Sequence, residues 1–266
     1  MLELLKLVKC EFLKLKRKKF IPIGVIFSLL FPIALTFIVK GQFVSGEYLS
    51  QKDAFDSLFD MVIVYGMQFL LPCMLGILAA VIFFEERDND TFKNLKAIPI
   101  TSTQLVISKI ILMLICSIIF CLLSCIASGI CGLIFFELND FGYKLLISAE
   151  MGTLMGIGIL PLVVVVVYFS KTYIFSILLC VFWTSLNTLI TAMYDVLPKF
   201  VLWILPIPLS MFWSSKELLE REMVLDLSEF QKLNLLPSTL ETFAILGVIG
   251  IISIFLIDYI YRKRSE

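Results

Sequence analysis

The chain has 266 residues, of which 60% are hydrophobic and 17% are charged, and it contains no histidine. This composition is far too apolar for a soluble domain of similar length. A helix needs about 20 apolar residues to cross a bilayer, so the chain has room for six crossings joined by modest loops. We therefore predict one all-α polytopic membrane domain over residues 1–266, without a large soluble domain.

Residues 1–19 are predicted to form an amphipathic, basic helix that lies at the membrane interface. One stripe of this helix is apolar and consists of Leu4, Leu5, Val8, Phe12 and Leu15. A cluster of basic residues over 14–19 then precedes the first long apolar run. The positive-inside rule therefore predicts that the amino terminus lies in the cytoplasm.

Six apolar runs are long enough to span a membrane, at residues 20–39, 61–84, 105–136, 145–169, 173–193 and 243–261. The polar stretch 40–60 is expected to be an exterior loop. Three prolines interrupt a further apolar run, 197–213, and a crossing there would put the basic carboxyl end outside. We therefore interpret residues 194–240 as an extracellular re-entrant or interfacial element followed by an amphipathic segment, and we expect both termini in the cytoplasm.

The connection between the second and third runs, residues 85–104, contains the most informative local pattern. Residues 88–90 are good helix-capping residues, and a short helix after them would end before Pro99. Thr101 and Gln104 fit a capping box that begins the next membrane helix. On these residues alone, the connection is either a rigid knob for another protein or an ordered turn that only joins two helices.

This connection resembles that of the ABC-2 family of ABC-transporter permeases. An acidic pair closes the second run, a threonine and an apolar turn follow, and Ala-Ile-Pro-Ile-Thr precedes a lysine that opens the third run. The basic start, the six runs and the broken element before the last run are also similar to that family. The resemblance implies a coupling loop over residues 85–104 that contacts a separate ATPase subunit through Glu85, Glu86, Asp90, Thr91, Phe92, Leu95, Ile98 and Pro99.

Within that family the chain looks most like the short bacterial permeases that export bacteriocins, lantibiotics and bacitracin-like peptides or confer immunity to them. The resemblance implies the membrane subunit of an ATP-driven exporter in a bacterial plasma membrane. Its partners would be the ATPase, a second identical or related permease subunit, membrane lipids and an amphipathic peptide or lipid-like substrate, but no nucleic acid. A non-transporting scaffold or sensor subunit of a resistance complex has the same topology and is the alternative.

We find no catalytic, cofactor-binding or metal-ligating pattern in the sequence. A P-loop of the form GxxxxGK[ST] is absent, so ATP hydrolysis is expected in a partner. Zinc-protease and rhomboid-like sites need histidine, which the chain lacks. The seven cysteines include no close CxxC pair and are expected to be small apolar residues.

Polar residues inside apolar runs are costly and therefore suggest function. Glu150 lies in the outer part of the fourth run, ahead of closely spaced glycines that allow close helix approach. Asn187 lies in the middle of the fifth run. Both are candidates for a translocation path, with structural hydrogen bonding as the alternative. Asp258 is expected to form an i,i+4 ion pair with Arg262.

Overall fold

The structure is a computed structural model that describes residues 2–17, 20–88, 101–169, 173–221 and 234–265. All regular secondary structure in these residues is helical. Six helical units within them are long and apolar enough to cross a membrane. We number these units in chain order as the first to the sixth span. The predicted all-α polytopic fold is confirmed.

The spans differ in length and continuity. An N-terminal helix, Leu2–Arg17, precedes them. The continuous spans are the first, Phe20–Val44, the third, Ser102–Phe135, the fifth, Tyr173–Ala192, and the sixth, Thr239–Ser265. The second span joins the helix Gln51–Met61, the π-helix Val62–Leu70 and the helix Leu71–Asp88. The fourth span joins Phe141–Gly158 and Leu160–Tyr168.

The first span continues to Val44 and the second begins at Gln51, so the prediction of an exterior loop over residues 40–60 is wrong except for residues 45–50. Ser50 caps this helix, because its side chain accepts a hydrogen bond from the backbone N–H of Asp53 at 3.1 Å. Apolar residues on one face of the first helix of this span are buried, while most of its polar residues are not. The span therefore extends back to Gln51 because buried apolar residues recur there with helical periodicity, although they do not form a continuous apolar run.

The even number of spans places both ends of the described chain at one end of the bundle, which we call the termini end. Residues 89–100 connect the second and third spans at this end. The other end of the bundle, which we call the opposite end, carries the start of the second span and the segment between the fifth and sixth spans.

The second and fourth spans form the centre of the bundle. In their most apolar stretches 72% and 67% of the residues are buried, against 22%, 28% and 22% in the first, fifth and sixth spans. Exposed faces of these three outer spans carry large apolar side chains, such as Phe37, Phe182 and Phe255. Such faces suit contact with lipid or with another membrane protein.

Two glycines of the fourth span bring it into close contact with the third. A β-carbon added at Gly152 would lie 2.6 Å from the Cα atom of Ile118, and one at Gly156 would lie 2.9 Å from Leu114 Cδ1. The hydroxyl of Ser117 donates a hydrogen bond to the carbonyl oxygen of Gly152 at 2.7 Å. The predicted close approach at these glycines is therefore confirmed.

The proline-containing run after the fifth span forms two short helices, Lys199–Ile204 and Pro206–Leu219. Leu205 between them is extended, with φ −90° and ψ 131°, as expected for a residue before proline. Trp213 is buried, and its indole N–H donates to the hydroxyl of Thr239 at 3.2 Å. Much of the predicted amphipathic part that follows, residues 222–233, lies outside the described residues.

Candidate functional site

The predicted docking residues lie at the end of the second span and beyond it. Glu85 and Glu86 belong to the last turns of the helix Leu71–Asp88. The remaining ones lie outside the described residues: Asp90, Thr91, Phe92, Leu95, Ile98 and Pro99. The described residues on either side of this connection therefore define the candidate site.

The third span begins at a capped position. The backbone N–H of Gln104 donates to the hydroxyl of Thr101 at 3.3 Å, and the N–H of Thr101 donates to Gln104 Oε1 at 3.1 Å. These two bonds form the predicted capping box, which satisfies backbone donors that have no partner within the helix. The third span therefore has a defined first residue next to the connection.

A buried lysine joins three elements at the termini end. Lys109 in the third span is completely buried, and its Nζ lies 3.3 Å from Glu11 Oε2 in the N-terminal helix. The same ammonium donates to the carbonyl oxygen of Ile82 in the second span at 3.1 Å and lies 5.6 Å from the ring centroid of Phe83. A buried charge is tolerated only when it is paired and hydrogen-bonded. Lys109 therefore holds the N-terminal helix and the second span against the third.

Glu11 is the anionic partner in this cluster and is itself only 4% exposed. Its second oxygen lies 2.5 Å from Lys14 Nζ, one turn along the same helix. Burial alone would raise the pKa of this carboxyl, but the positive charges of Lys109 and Lys14 outweigh burial and hold the pKa below its usual value. Glu11 is therefore ionised at neutral pH and fixes the N-terminal helix to the bundle.

The start of the third span is also joined to the end of the sixth. Thr103 donates to Asp258 Oδ2 at 3.4 Å, and Arg262 Nη2 donates to the hydroxyl of Thr103 at 2.5 Å. Arg262 and Asp258 form the predicted ion pair at 2.9 Å. Sequence spacing predicted this pair, but the contact with Thr103 could be seen only in the structure.

These contacts anchor both flanks of the connection that contains residues 89–100. On one side Lys109 links the second span to the N-terminal helix, and on the other Thr103 is held by the sixth span. A force applied to the connection would therefore act on four elements that are already joined.

The sequence analysis identified Lys109 as the lysine that opens the third span, but it did not predict Glu11 as a partner of this lysine. The available signal was an acidic residue on the helical face that carries Leu4 and Leu15.

The opposite end of the bundle contains a second buried ion pair. Lys144 of the fourth span is completely buried, and its ammonium is bonded to the carboxylate of Asp56 in the second span. It also donates to the carbonyl oxygen of Asn139 at 2.8 Å and lies 4.4 Å from the ring centroid of Phe55. The second and fourth spans are therefore held together at this end too.

A partly polar cavity of about 190 Å³ lies between the second span, the fifth span and the short helix Pro206–Leu219. The polar side chains in its lining are those of Gln68, Thr188, Thr191 and Tyr194, and apolar residues such as Met211 form the rest of its wall. The hydroxyls of Thr188 and Thr191 donate to carbonyl oxygens of their own helix. Gln68 Nε2 also donates to the hydroxyl of Ser214 at 3.2 Å. No charged side chain is among the described residues that line this cavity.

Neither of the two candidate path residues is among the residues that line this cavity. Asn187 is 2% exposed and lies next to the cavity, in the turn of the fifth span that also holds Thr188. Its Nδ2 donates to the carbonyl oxygen of Trp183 at 2.9 Å, whereas Oδ1 has no hydrogen-bond partner among the described residues. Glu150 is half-buried in the fourth span, within electrostatic range of Glu217, and does not line this cavity.

The described residues form no cluster of three or more side chains that could hold a metal ion. The site instead consists of helix contacts at the termini end and a cavity near the opposite end. These features, together with six long apolar helices, define a multi-pass membrane protein whose spans are tied together at both ends.

The sequence model of the ABC-2 family transporter proteins matches residues 7–187, which is more than half of the chain. The chain therefore belongs to this family and is a membrane component of an ABC transporter. The matched region includes the N-terminal helix contact at Glu11, the connection of residues 89–100 and the fifth span as far as Asn187. No curated protein matches the chain.

Proposed function

We propose that this permease subunit moves an amphipathic antimicrobial peptide across or out of a bacterial plasma membrane. A separate ATPase subunit supplies the energy, and a second permease subunit, identical or related, completes the path. The termini end faces the cytoplasm, because 15 of the 22 Lys and Arg residues lie in the segments at that end. Residues 89–100 then face the ATPase.

The observation that supports docking of the ATPase is the anchoring of the connection on both flanks. Lys109 joins the second span, the third span and the N-terminal helix, while Thr103 is joined to the sixth span. A connection whose flanks are held in this way moves its neighbours as rigid bodies when a partner displaces it, which is how closure of a motor changes access to a path. A connecting turn without a partner needs no such anchoring.

The cavity beside the fifth span supports an amphipathic substrate. Its wall combines amide and hydroxyl groups with apolar side chains, and the described lining residues carry no net charge. The Oδ1 atom of Asn187 next to it is buried and has no hydrogen-bond partner among the described residues, which is costly unless a donor reaches it in another state. A peptide with backbone N–H donors and apolar side chains satisfies both requirements.

Docking is tested by placing charge on the predicted contact surface. The double variant Phe92→Asp/Leu95→Asp, reconstituted with its ATPase, should lose substrate-stimulated ATP hydrolysis at least tenfold while still inserting in the membrane. Leu49→Asp is the matched control, because Leu49 is 96% exposed in the connection between the first and second spans. Unchanged assembly and unchanged ATP hydrolysis in the double variant would contradict docking at this surface and would favour the non-transporting scaffold.

The substrate class is tested at the cavity. Thr191→Val removes a hydroxyl from the cavity wall with almost no change in shape, and it should weaken resistance to lantibiotics or bacitracin by several-fold. Thr36→Val is the control, because Thr36 in the first span also donates to its own helix backbone but lies away from the cavity. Equal effects of the two changes, or no effect of Thr191→Val, would overturn this role of the cavity.

A further inference from the structure

A second cavity, of about 120 Å³, lies near the termini end where the N-terminal helix meets the first three spans. Its wall includes Phe12, Gly24, Met74, Cys116 and Phe120. The one hydroxyl in the lining, that of Ser28, already donates to the carbonyl oxygen of Val25 at 2.8 Å. An apolar cavity of this size excludes water and accepts an apolar group.

The N-terminal helix, which contributes Phe12 to this cavity, has both apolar and basic side chains on its exposed face. Leu5 is 61% exposed and Phe12 is 39% exposed, although both belong to the apolar stripe of the N-terminal helix. Lys9 and Lys16 are also exposed. They lie three residues before and four residues after Phe12, which places them on the same side of the helix. Two positive charges therefore flank Phe12, whose side chain lines the apolar cavity.

We propose that this cavity and these two lysines form a binding site for one anionic phospholipid of the surrounding bilayer. The phosphate group lies between Lys9 and Lys16, and part of one acyl chain enters the cavity beyond Phe12. This site does not depend on which substrate the protein transports. It assigns a ligand to the N-terminal helix that also holds the Glu11 to Lys109 contact on its opposite face.

Charge complementarity decides the class of lipid. Lipid tails are as apolar as the side chains that line the cavity, so entry of the chain adds shape selection but little hydrophobic free energy. The preference must therefore come from the headgroup, and basic residues at a membrane surface attract anionic lipids. Two lysines at the entrance predict roughly a tenfold preference for an anionic over a zwitterionic headgroup.

The headgroup is tested with the purified full chain and lipids that share the same acyl chains. Retention of phosphatidylglycerol and of phosphatidylcholine is measured by native mass spectrometry. The double variant Lys9→Gln/Lys16→Gln should lose the roughly tenfold preference for phosphatidylglycerol. Lys6→Gln/Arg17→Gln is the matched control, since it removes the same charge from the same helix on a different side, and it should keep the preference.

The acyl-chain site is tested by filling the cavity. Gly24→Leu should reduce the retained phospholipid of both kinds, because a β-carbon there meets only Met74 Cε at 3.6 Å and a larger side chain occupies the cavity. Gly247→Leu in the sixth span, where an added β-carbon meets nothing within 4 Å, is the control. Equal loss of the phosphatidylglycerol preference in both double lysine and arginine variants would show that the positive charges attract anionic lipid only diffusely. Undiminished phospholipid binding by a folded Gly24→Leu variant would show that the acyl chain does not enter this cavity.

Discussion

Lys109 and Glu11 are separated by 98 positions in the chain, yet the ammonium of one lies 3.3 Å from the carboxylate of the other inside the bundle. Both side chains are almost entirely excluded from solvent. Their contact fixes an amphipathic surface helix to the third span immediately beside the connection that we propose to be the docking site for an ATPase. The first two predictions follow from this pair.

Removing one partner should cost more than removing both. Glu11→Leu removes the carboxylate that lies 3.3 Å from the buried ammonium of Lys109, and we expect the free energy of unfolding to fall by about 3–5 kcal/mol. Glu11→Leu/Lys109→Met should recover much of this loss, because two apolar residues can replace a buried ion pair. Chemical denaturation in detergent measures both values. Failure of the double variant to recover stability would show that the charges are held by other partners.

Stability should depend on acidic pH through Glu11. The native pKa of this carboxyl lies below its usual value of 4.5, so the unfolded chain binds the proton more readily than the native chain. The advantage of the wild type over Glu11→Gln should therefore be complete above about pH 5 and disappear as the pH falls through the lowered native pKa. Thermal unfolding of both proteins from about pH 7 down to about pH 3 measures this difference. A difference that stays constant over this range would contradict an ionised Glu11.

The contact between the third and fourth spans should not accept a larger residue at Gly152. A β-carbon there lies 2.6 Å from the backbone of Ile118, so Gly152→Ala forces the two spans apart and should cost about 1–3 kcal/mol. Gly247→Ala is the matched control and should be neutral or stabilising by up to about 1 kcal/mol, since alanine favours helix. Denaturation in detergent gives both values, and equal stability of the two variants would mean that the spans adjust without cost.

Cys10 provides a native reporter for orientation. It is exposed on the N-terminal helix, whereas the other cysteines of the chain are half-buried or buried within the spans. If the termini end is cytoplasmic, a membrane-impermeant maleimide should label Cys10 in inside-out vesicles and not in intact cells. Cys10→Ser should abolish the labelling. Modification in intact cells would place the amino terminus outside and reverse the proposed orientation.

Local patterns predicted those parts of the site that depend on residues close together in the chain. The capping box of Thr101 and Gln104 and the ion pair of Asp258 and Arg262 each lie within a single helical turn or two. Their geometry therefore follows from the α-helix itself. The close approach at Gly152 was also predictable, since a missing side chain allows contact whichever neighbour is present.

Tertiary structure decided which distant charges meet. Nothing in the local sequence around Lys144 identifies Asp56 as its partner. The same holds for Lys109 with Glu11, and for the start of the second span at Gln51, whose polar residues lie mostly outside the buried face. Hydropathy depends only on the residues of one segment, whereas the burial of a charged side chain depends on which other helix covers it.

The amino-acid sequence by itself thus determined the number of spans, the cap of the third span and the class of polytopic all-α membrane proteins, because these follow from helix periodicity, local capping and the thickness of a bilayer. Only the packed structure decided that the N-terminal helix and the two flanks of residues 89–100 are joined by buried polar contacts. The reason is physical: pairing of buried charges is a property of the space between helices, and that space exists only after the helices have assembled.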